Sequence, residues 1–139
     1  MKNTAVMMKN ASRSGLVIPA FNVPYLPMVE PVVRAIADQD CFALVEVARL
    51  EWIKFGAVSL AAVMEEFLKW SQPGHVRIHL DHVPVIDEDN LKVDYLSVIQ
   101  EGIRLGYQSV MVDGSRLDLE GNIEATRQVA EKAHRAGIP

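Results

Sequence analysis

Two short stretches of this chain carry the residue types that do chemistry. His79-Leu80-Asp81-His82 ends one apolar run, and Asp113-Gly114-Ser115 ends another, Ser109-Val110-Met111-Val112. A carboxylate beside an imidazole at a strand end suits a general base next to a metal ligand. Adjacent strand residues point to opposite faces, so Asp81 and His82 can serve one site only if His82 lies past the regular end of its strand. The competing reading makes Asp81 a loop cap and His82 a surface histidine. Asp113-Gly114 also has a plain structural reading, as a turn after a strand.

These residues need elements to hold them. Val17–Val23 reads as a first strand, and Val29, Val32, Val33, Ile36 and Ala37 follow as one helical stripe. Phe42–Ala48 is a second strand, and Leu60, Val63, Met64, Phe67 and Leu68 repeat the helical spacing. Val76–Leu80 is the third strand, followed by an acidic loop over 83–90 that reads as solvated. Leu96, Ile99 and Ile103 mark a third helix ending near Gly106. After the fourth strand, Asn122 is the expected N-cap of a helix that stops at Gly137. Four β-α repeats argue an α/β fold with a parallel sheet, whose functional groups gather at the C-terminal ends of the strands. Pro24-Tyr25-Leu26-Pro27 occupies the first turn where a glycine-rich phosphate loop would sit, so a dinucleotide-binding fold fits poorly.

Composition narrows the function classes. The chain has 139 residues, 50% of them apolar and 23% charged, with a net charge of −4. No basic block gives a footprint for nucleic acid. No apolar run reaches the roughly 18 residues of a transmembrane helix, and Met1–Gly15 lacks the apolar core of a signal peptide. The expected location is the cytoplasm. The single cysteine, Cys41, excludes an internal disulfide and reads as a buried small apolar residue. His79 shares a strand face with Asp81 and reads as a hydrogen-bonded interior residue. His75 and His134 read as structural or exposed, and Trp52 and Trp70 as helix-packing residues.

Ile18-Pro19-Ala20-Phe21-Asn22-Val23, His79-Leu80-Asp81-His82, Gly106–Ser115, Asn122–Thr126 and Ala133–Gly137 together resemble the class II, zinc-dependent ketose-bisphosphate aldolases, in the right order along nearly the whole chain. The resemblance implies a TIM (β/α)8 barrel. Residues 1–139 would then be its N-terminal half, four β-α units of one domain, with a fifth strand expected to begin at Ile138. It implies reversible aldol cleavage of a phosphorylated ketose, fructose or tagatose 1,6-bisphosphate, through an enediolate. Asp81 would be the acid/base, His82 a ligand of the catalytic Zn2+, and Asp113 a ligand at a second divalent metal position. Asn22 and Ser115 would lie near substrate. A strand-end asparagine holding loop backbone competes for Asn22, and a turn cap for Ser115.

Three positions depart from the family pattern: Ala48 replaces a strand-end serine, Val83 replaces a glycine after the Asp-His pair, and the connection from Asp81 to Asp113 is longer. Two further zinc-binding histidines, a metal-binding glutamate and the main phosphate loops of the family would lie beyond residue 139. The expected assembly is therefore a homo-oligomer, dimer or tetramer, or association with a missing half-barrel. A noncatalytic accessory subunit is the alternative function.

Overall fold

The computed structural model describes residues 4–139. Helix α1 (Thr4–Arg13), which the sequence reading did not include, precedes the sheet. Strands β1 (Ala20–Asn22), β2 (Ala43–Ala48), β3 (Val76–Pro84) and β4 (Val110–Asp113) form one parallel sheet in the order β1-β2-β3-β4. Helices α2 (Val29–Asp38), α3 (Arg49–Lys54), α4 (Leu60–Trp70), α5 (Tyr95–Leu105) and α6 (Leu119–Arg135) fill the connections. Sequential parallel strands with helical crossovers make half of a TIM barrel.

Side-chain alternation divides the sheet into two faces. Val45, Val47, Val76, Ile78 and Leu80 join the apolar core with Val29, Val33 and Ile36 of α2 and Val63, Met64 and Phe67 of α4. The opposite face carries Leu44, Glu46 and Ala48 of β2, paired in register with Arg77, His79 and Asp81 of β3. One face thus holds the fold together, and the other presents polar groups. Trp52 and Trp70 pack against the core from α3 and α4, as expected.

Several boundaries differ from the sequence reading. Strand β1 is only three residues long; Val17 lies outside it, 91% exposed, and Pro19 supplies no N–H to a ladder. Strand β3 does not stop at Leu80 but runs on to Pro84. Asn122 is not the cap of α6. Asp118 is, its Oδ1 accepting from Gly121 N at 2.8 Å, which leaves Asn122 inside the first turn. Cys41 is not buried: it is exposed in the turn before β2, where its Sγ donates to Gln39 O at 3.3 Å. Helix α5 ends on Gly106 at φ 99°, a left-handed cap that favours glycine. Past α6, Val110 N donates to Pro139 O at 3.1 Å, so the last residue lies against the outer edge of β4. Among the described residues, no helix is long and apolar enough to cross a membrane.

Candidate active site

The C-terminal ends of β2, β3 and β4 border a cleft of about 250 Å3, lined among others by Ala48, Arg49, Asp81, His82, Asp113 and Arg116. The sequence argument required His82 to lie beyond its strand if it was to join Asp81. The structure meets that need differently. The β3–β4 register slips between Leu80 and Val83, so three steps along β3 oppose two along β4. His82 sits in this bulge at φ 105°. A bulge bends the strand and re-aims a side chain, and here it places Asp81 and His82 on the same cleft.

His82 Nδ1 lies 3.1 Å from Asp113 Oδ2, across the β3–β4 junction. Asp113 Oδ1 accepts from Ser115 N at 2.8 Å. Burial opposes ionisation of Asp113, but the Ser115 hydrogen bonds, His82 and Arg116 hold its carboxyl below the usual range. The Asp113 carboxylate thus caps the turn at Ser115. The turn is tight: a Cβ on Gly114 would lie 2.5 Å from Asn122 Oδ1 and 3.1 Å from Asn122 Cα. Asn122 thus matters to the site as a neighbour of this turn.

Asn22 hydrogen-bonds Glu51, a buried residue of α3 that the sequence reading left out. Glu51 Oε2 also accepts from Ala48 N at 2.7 Å, closing the first turn of α3. Burial raises the Glu51 pKa, and these two hydrogen bonds partly offset the rise. Sequence reasoning misses Glu46 as well. It is the register partner of His79 on the polar face and is 9% exposed. Burial, with Asp81 and Glu51 nearby, pushes its pKa up to about 7. The signal that could have found it was a charged residue inside an otherwise apolar strand, Ala43-Leu44-Val45-Glu46-Val47.

His79 is the interior residue the spacing predicts, with Nδ1 2.8 Å from Ser109 Oγ and Nε2 3.8 Å from Asp81 Oδ1. Burial lowers its pKa and favours the neutral ring. His75 binds Cys41 O at 2.9 Å, and His134 is exposed on α6.

The acidic loop after β3 is solvated at Glu88 and Asp89, as expected, but not at Asp87. Asp87 is 5% exposed, and its Oδ1 accepts from Leu91 N at 2.9 Å and Asp89 N at 3.1 Å. Its Oδ2 meets Arg49 Nη1 at 3.3 Å. Lys54 Nζ bridges Glu88 and Asp89 at 3.0 Å each, and Arg116 Nη1 donates to Asn90 at 2.8 Å. Helix α3 and the turn after β4 therefore clamp this loop along the rim of the cleft.

The donor set suits a cation as far as it extends. Asp113 holds His82 at Nδ1, which leaves Nε2 as the free ligand nitrogen, the arrangement in which a carboxylate orients a metal-bound imidazole.

Comparison with known proteins places the fold in a family. The family model described as fructose-bisphosphate aldolase class-II matches residues 2–139. The fold is similar to that of the YdjI aldolase from Escherichia coli K12, with TM-score 0.73 and 21% identity over 94% of this chain and 46% of that one. It is also similar to a putative fructose-1,6-bisphosphate aldolase from Coccidioides immitis, with TM-score 0.72 and 21% identity over 97% of this chain and 48% of that one. The chain spans about half the length of these structures. With a family model matching all but its first residue, the chain belongs to the class II fructose-bisphosphate aldolase family.

Proposed function

We propose that this chain supplies the acid/base residue and one zinc ligand of a class II aldolase that reversibly cleaves a phosphorylated ketose to dihydroxyacetone phosphate and an aldehyde. The observation that carries this reading is the convergence of Asp81, His82 and Asp113 on one cleft whose wall also bears Arg49 and Arg116. In cleavage, Asp81 takes the proton from the hydroxyl on the carbon that becomes the aldehyde. Zinc, when bound, polarises the ketone and stabilises the negative charge that develops on it. His82 offers Nε2 to that ion, and Asp113 fixes the ring. Arg49 and Arg116 give the cleft positive charge toward an anionic substrate.

A catalytic zinc takes about three protein ligands and keeps one open position. His82, backed by Asp113, would be the part of that set this chain supplies. The remaining ligands would come from residues that follow 139 in a longer chain, from a separate second half-barrel, or from another copy of the chain packed along β1 and β4, the two outer strands of the sheet. A noncatalytic accessory subunit is the second reading, favoured by Ala48, which puts a methyl group where a hydroxyl would face the cleft.

The test combines native mass, zinc content and cleavage of fructose and tagatose 1,6-bisphosphates by the purified protein. Cleavage that Asp81→Asn lowers by about 10²–10⁴-fold, with zinc retained, supports catalysis. Zinc-free protein without cleavage in any assembly leaves the accessory reading.

A further inference from the structure

A second constellation lies deeper on the polar face of the sheet. Glu46 of β2 and His79 of β3 are direct register partners, and Asp81 follows two residues along β3. One oxygen from each carboxylate and one ring nitrogen all lie within 4.8 Å of one another. All three groups stand on the in-register β2–β3 pair, so the backbone fixes their spacing without a loop. None of the three belongs to the His82–Asp113 pair.

Two features mark this cluster out among the described residues. Glu46 is 9% exposed, yet no described residue donates a hydrogen bond to its carboxylate; its neighbours there are the acids Asp81 and Glu51. A partly desolvated carboxylate beside two other acids is costly without a counter-ion. His79 adds the second feature. Its Nδ1 is engaged by Ser109 Oγ at 2.8 Å, and its Nε2 faces Asp81 Oδ1 at 3.8 Å, beyond hydrogen-bond reach. A ligating histidine is held in this way, with one nitrogen hydrogen-bonded to an outer group and the other turned to the ion.

We propose that Glu46, His79 and Asp81 form a separate cation site that takes a divalent first-row transition metal. One imidazole and two carboxylates suit such ions better than calcium or magnesium, which prefer oxygen throughout. The inference does not rest on the aldolase reading. It does bear on it, because Asp81 would belong to both centres. A cation held here withdraws Asp81 from proton transfer, so metal in excess of the catalytic complement inhibits.

The test is binding of Co2+ to the chelator-stripped chain, followed by visible absorption and calorimetry. His82→Ala removes the other centre and is expected to leave one Co2+ site. Adding Glu46→Gln, which keeps the shape of the side chain, is expected to weaken that site at least tenfold while the melting temperature in chelator does not fall. X-ray absorption of Co2+-loaded His82→Ala is expected to show one imidazole among oxygen ligands. Loss of all Co2+ binding in His82→Ala, unchanged affinity after Glu46→Gln, or an oxygen-only shell each overturns the proposal. A lysine or arginine from a covering segment would occupy the same space and would give the first of these results. Cleavage assays decide the aldolase reading on their own, so failure of one leaves the other standing.

Discussion

His82 and Asp113 face each other at 3.1 Å across a bulged junction between β3 and β4. The contact joins a ring whose backbone sits at φ 105° to a carboxylate pinned by the next turn. Neither residue is free to reorient without breaking the other's geometry. Asp113→Asn keeps the shape and one hydrogen bond but removes the charge that orients the ring. Loss of such an outer carboxylate typically costs about 10–100-fold in metal affinity. Zinc titration of Asp113→Asn against wild type should show that weakening, with the fold intact by circular dichroism. Equal affinities would mean that Asp113 does not position His82.

Glu46 sets a dependence of stability on pH. Its pKa rises from an ordinary 4.5 to about 7 on folding, chiefly through burial. The folded state therefore holds the proton more tightly than the unfolded chain. The contribution is fully favourable below 4.5, is lost as pH rises toward 7, and leaves a standing penalty above that. The open face screens part of this penalty, which leaves roughly 1–2 kcal/mol. Denaturation of Glu46→Gln in chelator should show that gain at pH 8 and almost none at pH 4. A gain that is the same at both pH values would show that charge burial is not the cause.

Ala48 and Glu51 form half of a capping box. Glu51 reaches back to Ala48 N at 2.7 Å, but Ala48 has no side-chain oxygen to return the bond to the N-terminus of α3. Ala48→Ser supplies one, and the gain expected from such a cap is about 0.5–2 kcal/mol. The melting temperature should rise. A fall would place the introduced hydroxyl away from the helix, toward the cleft.

The sequence carried the four-fold β-α order because each strand and each helix stripe is locally apolar at its own period. It also put Asp81, His82 and Asp113 at strand ends, where a parallel sheet collects chemistry, and the three line one cleft. What it could not carry is the bulge at His82. A register slip depends on how β4 pairs with β3, and no local pattern in His82-Val83-Pro84 states that pairing. Glu46 escaped for a related reason: its meaning depends on a neighbour, His79, that only the β2–β3 register supplies. The acidic loop misled because Asp87 looks like any surface acid until Arg49 and the backbone of Asp89 and Leu91 close around it.

The turn after β4 gives the sharpest test of the site's construction. At Gly114 a methyl group would approach Asn122 Oδ1 to 2.5 Å and Asn122 Cα to 3.1 Å. The side chain of Asn122 can swing away, but its Cα belongs to the first turn of α6 and moves only with the helix. Gly114→Ala should therefore push α6 outward and pull Asp113 from His82. The expected cost is about 1–3 kcal/mol, the range for overpacking at a close contact. Asn122→Ala in the same chain relieves the side-chain clash but not the backbone one, so it should recover only part of that loss. Full recovery would show that the side chain alone sets the limit and that α6 does not press on the turn.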